Sequence, residues 1–249
     1  MAGHGDMSTA FAISAGTLTL SRAERLKYGK ERRQRKRDES RRLASQARDE
    51  QIARVRSTWE RSVEVSKRTK QVQVCWKKFR IIDPMIYKLK YLRDLRLNGN
   101  LFTHVPRKLG HELPQLRILS MCACGIEALP PSIGLLTELT ELNLASNYLK
   151  WLPDSFCKLV KLTQLHLTAN HLRSLPEDFG DLCELVRLDL ANNELTTLPA
   201  SLGRMHKTTE VVLSANHFAV VPEALFTMPS LTHLTMNRCR VKDIPQVSE

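Results

Sequence analysis

The 249-residue sequence predicts an α/β solenoid: short strand, bend and return units stacked so that a parallel sheet lines the concave side, preceded by a basic helical arm. Three observations predict it. The stretch LTELNLASNYLKWLPDSFCKLVK (139–161) is followed directly by LTQLHLTANHLRSLPEDFGDLCE (162–184), leucine on leucine at a spacing of 23 residues. Within each line LxxLxL alternates apolar and polar, the period of a strand with one buried face, whereas xxLPxxFxxL spaces its apolar residues by three and four, the period of a helical turn. One such unit cannot bury its leucines alone, so neighbours must stack.

Residues 1–20 are small and polar and are expected to be unstructured. Their apolar run, AFAISAGTLTL, has no basic segment before it and no long apolar core, so it does not read as a signal peptide. Ser21 opens S-R-A-E, a capping box pairing Ser21 with Glu24, and marks a helix start. From Glu24 to Lys67 there is no proline and a single glycine, Gly29, so residues 21–68 read as one long or interrupted helix.

That arm holds the charge. Residues 21–70 carry 18 Lys+Arg against 8 Asp+Glu, or +10 of the chain's +12. KERRQRKR (30–37) has no apolar face; it is either a solvated helix or a contact for an acidic protein surface, an import receptor or another polyanion. Ile52, Val55, Trp59 and Val63 step by three, four and four into an apolar stripe. The stripe is expected to lie over the open end of the solenoid, with a coiled coil to a partner helix as the alternative.

The repeat domain spans 69–249. A degenerate cap repeat, 69–91, places Val72 and Val74 in strand positions and Phe79, Ile82, Ile86 and Leu89 in the return. Full repeats start at 92 (one residue longer), 116, 139, 162, 185 and 208, and a partial one starts at 231. Leu231, Leu234, Met236, Val241 and Ile244 of the partial repeat form an apolar face with no recognisable cover.

The unit L-x-x-L-x-L-x-x-N/C-x-L is the leucine-rich-repeat signature. With L-P at positions 14 and 15, residues 69–249 resemble the repeats of intracellular leucine-rich-repeat proteins of the Scribble, Erbin and plant Ras-group-related type. The resemblance implies a leucine-rich-repeat horseshoe with a parallel concave sheet; its functional content is weak, because the fold hosts many unrelated binding tasks. The ninth-position residues Asn100, Cys124, Asn147, Asn170, Asn193, Asn216 and Cys239 stand where the chain leaves the strand, and are expected to satisfy backbone groups that the bend leaves unpaired.

No catalytic constellation is found: there is no G-x-x-x-x-G-K-[ST], H-E-x-x-H, C-x-x-C or G-x-S-x-G. Strand alternation and the repeat phase put Cys122 on the concave surface and Cys124 inside the bend, which makes a poor metal site. Six scattered cysteines, no cysteine-rich cap and no N-x-[ST] site point to a reducing setting, cytoplasmic or, through the basic arm, nuclear. No apolar run approaches the length of a membrane span. The expected function is therefore non-enzymatic, without cofactor, metal or small-molecule substrate: a scaffold or adaptor, in signalling or complex assembly, that holds a protein partner on the concave face. Nucleic-acid or anionic-polymer binding through the arm is the alternative. The outward third and fifth strand positions supply the candidate site, namely Glu141, Asn143, Gln164, His166, Arg187, Asp189 and Glu210. Seven strands about 4.8 Å apart give a floor roughly 30 Å across, enough for a protein segment.

Overall fold

A computed structural model describes residues 12–14, 17–19 and 22–241. They fall into two units, 1–54 and 55–249.

In the first unit, β1 (Ala12–Ser14) pairs antiparallel with β2 (Thr17–Thr19), Ile13 opposite Leu18. Composition led us to expect no order there; the short alternation A-I-S and T-L-T supplies the pairing instead. The Ser21–Glu24 capping box lies outside the described residues. Helix α1 (Arg22–Thr69) begins in this unit and runs 48 residues without a break at Gly29. A lone glycine costs a helix only about 1 kcal/mol, which strong helix formers around it offset.

The second unit starts inside α1, at Val55. Trp59 is buried there and stacks on Phe79 of the cap repeat, with Val55 and Val63 packed against the same core. Ile52, the first residue of the expected stripe, is instead 57% exposed. Val72, Val74, Phe79, Ile82, Ile86 and Leu89 are buried in the same core.

Eight strands form one parallel sheet in chain order: β3 (Gln71–Gln73), β4 (Asp94–Arg96), β5 (Ile118–Ser120), β6 (Glu141–Asn143), β7 (Gln164–His166), β8 (Arg187–Asp189), β9 (Glu210–Val212) and β10 (His233–Thr235). Each third-position residue faces the third position of the next strand, as in Glu141 opposite Gln164 opposite Arg187. A constant period makes this register unavoidable, because a one-residue slip would turn every buried leucine to the other face. The longer repeat at 92 keeps the register by placing its extra residue on the return side. There α2 (Lys108–Glu112) makes an α-turn, whereas the later returns are 3-10 segments such as Asp154–Lys158 and Ala200–Arg204.

The interior is continuous. Leu142, Leu144, Leu165, Leu167, Leu188 and Leu190 are buried beneath the sheet, and Phe156 stacks on Phe179 beneath the returns. Between sheet and return, the eighth position of every repeat takes a left-handed backbone, from Gly99 (φ 65°) through Ala123 (53°), Ser146 (55°), Ala169 (56°), Asn192 (55°) and Ala215 (54°) to Arg238 (57°). Non-glycine residues adopt this conformation at a cost of about 1–2 kcal/mol each. The ninth residue offsets it: Asn170 Nδ2 donates to Leu144 O and Leu167 O, both at 3.0 Å, and its Oδ1 accepts from the Leu149 amide at 3.1 Å. In the partial repeat, Leu234 is exposed, Leu231, Met236 and Val241 are half-buried, and Ile244 lies outside the described residues.

Candidate functional site

Strand alternation puts the third and fifth positions on the face of the sheet away from the leucines, the concave face in a repeat solenoid. The structure aligns the candidate residues there in two rows. Glu141, Gln164, Arg187 and Glu210 pair across β6–β9, and beside them run Asn143, His166 and Asp189.

Two ion-pair groups organise the face. Toward the cap, Arg96 Nε donates to Asp94 Oδ1 at 3.1 Å, and Arg96 Nη2 reaches Glu141 Oε2 at 4.0 Å. Farther along, Arg187 Nη1 donates to Glu210 Oε2 at 3.1 Å, while Nη2 lies 3.5 Å from Asp189 Oδ2. Gln164 and His166 stand between these groups. With Thr163, Leu165, Val186 and Arg187 they line a recess of about 310 Å³.

Not every candidate presents free polar atoms. Asn143 Oδ1 accepts from the Ala145 amide at 3.1 Å, and Asp189 Oδ1 accepts from the Ala191 amide at 3.2 Å. Both fifth-position side chains fold back on their own strand, as Asx residues commonly do. Gln164 and Arg187 are exposed, whereas Glu141, His166 and Glu210 are half-buried.

The ninth-position ladder is internal. Asn100, Cys124, Asn147, Asn170, Asn193 and Asn216 are buried and Cys239 is half-buried. Cys124 Sγ donates to Leu97 O at 3.3 Å and Cys239 Sγ to Leu213 O at 3.3 Å, replacing the donor half of the amide. All six cysteines are free thiols. Among the described residues no group of three His, Cys, Asp or Glu could hold a metal ion, and no helix is long and apolar enough to cross a membrane.

The strand letters alone missed a second polar row, at the tenth position. The Tyr148 ring stacks on His171 with centroids 5.9 Å apart, and His171 Nδ1 lies 2.9 Å from Glu194 Oε1. Arg173 Nε donates to Glu194 Oε2 at 3.1 Å, and Arg173 and His171 together hold the Glu194 carboxyl below its usual range. Repeat phase could have found this row, since Tyr148, His171 and Glu194 recur 23 residues apart, one place after each structural asparagine.

The comparisons agree with this architecture. Leucine-rich-repeat family models match residues 114–172 and 184–205. No curated protein matches the chain by sequence. Among solved structures, a leucine-rich-repeat protein of Leptospira interrogans is 28% identical with a TM-score of 0.66, over 70% of this chain and 44% of that one. The plant peptide hormone receptor RGFR1 in complex with RGF2 is 21% identical with a TM-score of 0.53, over 67% of this chain and 26% of the receptor. The chain thus spans less than half the length of either. Since 418 solved chains match, the likeness fixes architecture and not activity. By its repeat register, its asparagine ladder and these matches, the chain is a leucine-rich-repeat protein.

Proposed function

We propose that the concave face binds a protein partner, and that the chain works as a non-enzymatic scaffold or adaptor in the cytoplasm. The observation that carries this reading is the recess at Gln164 and His166, set between the Asp94–Arg96–Glu141 and Arg187–Asp189–Glu210 groups. A protein segment lying across it can exchange directed hydrogen bonds with both groups, which charge-assisted pairs make strong and orientation-specific. Four carboxylates against two guanidinium groups give the face a net negative character, which suits a polypeptide and repels phosphate.

RGFR1 shares the fold alone, so its complex with RGF2 says nothing of this chain's ligand. Hydroxyl-radical footprinting of the chain with a bound protein tests the reading. It expects His166 and Val186 to be protected and Tyr148 and Trp151 to stay reactive. Protection confined to Tyr148 and Trp151 would move the site to the tenth-position edge.

A further inference from the structure

One sector of the exposed first half of α1 carries basic side chains and no acidic ones. At 3.6 residues per turn, Lys30, Arg33, Arg37 and Arg41 fall within about an 80° sector, while Asp38 and Glu39 lie outside it, interleaved with Arg32, Arg35, Lys36 and Arg42. All four basic side chains are exposed, and none makes an ion pair among the described residues. Asp38 is occupied on its own side, accepting from Gln34 Nε2 at 3.1 Å. The stripe extends about 17 Å along an unbroken helix.

We propose that this stripe is a sequence-independent binding site for the phosphate backbone of duplex DNA. Three features select that polyanion. An unbroken α-helix fits the B-form major groove, about 12 Å wide, but not the deep, narrow groove of A-form RNA. No aromatic residue occurs between 30 and 50, so there is no platform on which single-stranded bases could stack. Leu43 is the only large apolar side chain between 30 and 50, which leaves no apolar face to enter a lipid surface.

The test is fluorescence anisotropy of the full chain with a labelled mixed-sequence 24-base-pair duplex, in 50 to 200 mM salt. If the four basic groups each neutralise one phosphate, affinity falls roughly 150-fold across that range, from a slope of about −0.9 per phosphate. The variant Arg33→Gln/Arg37→Gln/Arg41→Gln leaves one contact and should fall only about fourfold. Arg35→Gln/Arg42→Gln, which alters the other side of the same helix, should keep the steep salt dependence. Circular dichroism checks that both variants remain helical. Absence of binding at 50 mM salt, equal losses from both variants, or equally tight binding of a single strand would overturn the proposal. Displacement of the duplex by poly-glutamate at equal charge concentration would also overturn it, assigning the stripe to acidic protein.

Discussion

Trp59, near the end of α1, stacks on Phe79 of the cap repeat with ring centroids 5.3 Å apart and planes 28° from parallel, and both residues are buried. The contact closes the first repeat, which has no preceding repeat to cover it. Trp59→Ala should therefore cost about 3–5 kcal/mol, measured as a shift in denaturant midpoint. Deleting residues 1–50 removes none of this packing and should leave a folded solenoid, whereas deletion through Val65 should give an insoluble one. Trp76 and Trp151 are exposed, so a Trp76→Phe/Trp151→Phe background isolates Trp59 fluorescence. Emission typical of a water-exposed indole would refute the closure.

The ninth-position ladder makes a graded prediction. Asn170→Ala leaves the Leu149 amide and the Leu144 and Leu167 carbonyls without their partner and should cost about 1–3 kcal/mol. Asn170→Cys should cost less, because a thiol at this position still donates, as Cys124 does to Leu97 O. Leu165→Ala should cost about 2–5 kcal/mol through the cavity it leaves. Urea midpoints that rank the two asparagine variants in the opposite order would show that the accepted bond, not the donated ones, carries the effect.

Glycine at the nineteenth position marks a close approach between returns. A Cβ on Gly134 would lie 2.2 Å from Ser155 O, and one on Gly180 would lie 1.8 Å from Ser201 O. Backbone atoms cannot step aside as side chains do, so Gly134→Ala should destabilise by about 1–3 kcal/mol despite alanine's better helix propensity. A thermal melt at or above the parent's would contradict the contact.

Cys157 holds that same position in its own repeat, and burial, with Asp181, Asp178 and Asp154 nearby, pushes its thiol up to about 11. Roughly one molecule in a thousand then carries the thiolate at pH 8, so iodoacetamide should label Cys157 about a hundredfold more slowly than an ordinary thiol. Labelling should speed up about tenfold per pH unit until the pH nears that value. The folded chain binds this proton more tightly than the unfolded one, so the group makes stability fall as pH rises from the ordinary thiol range toward 11. Rapid labelling at pH 8, followed by peptide mass spectrometry, would contradict the burial.

Much of this was legible in the sequence because the period fixes the register. Once Leu139 and Leu162 are aligned, the pairing of Glu141 with Gln164, the burial of Leu165 and the role of Asn170 all follow from strand alternation. What the letters did not carry was how polar side chains share partners. Asn143 and Asp189 read as free groups yet accept from amides two residues on, and Glu141 is drawn toward Arg96 from two strands away. The Ile52 to Val63 stripe has an even spacing, yet Ile52 is exposed while Trp59 is buried. Across neighbouring returns, Asp181 accepts from Arg204 Nη2 at 2.7 Å, another shared partner that strand alternation does not reveal.

The most direct test of the binding face compares two charge-conserving reversals in the full chain. One is Arg187→Glu with Asp189→Arg on the sheet. The other is Lys158→Glu with Glu177→Lys on the return side, where both residues are exposed and neither makes an ion pair among the described residues. The return-side reversal should melt within about 2 °C of the parent, and the sheet reversal somewhat lower, because Asp189 is half-buried and also accepts from the Ala191 amide. Proteins captured from cell extract by the parent chain should be lost with the sheet reversal and kept with the return-side one. Capture that survives the sheet reversal and disappears with Lys158→Glu/Glu177→Lys would place the partner on the outer surface and contradict the account.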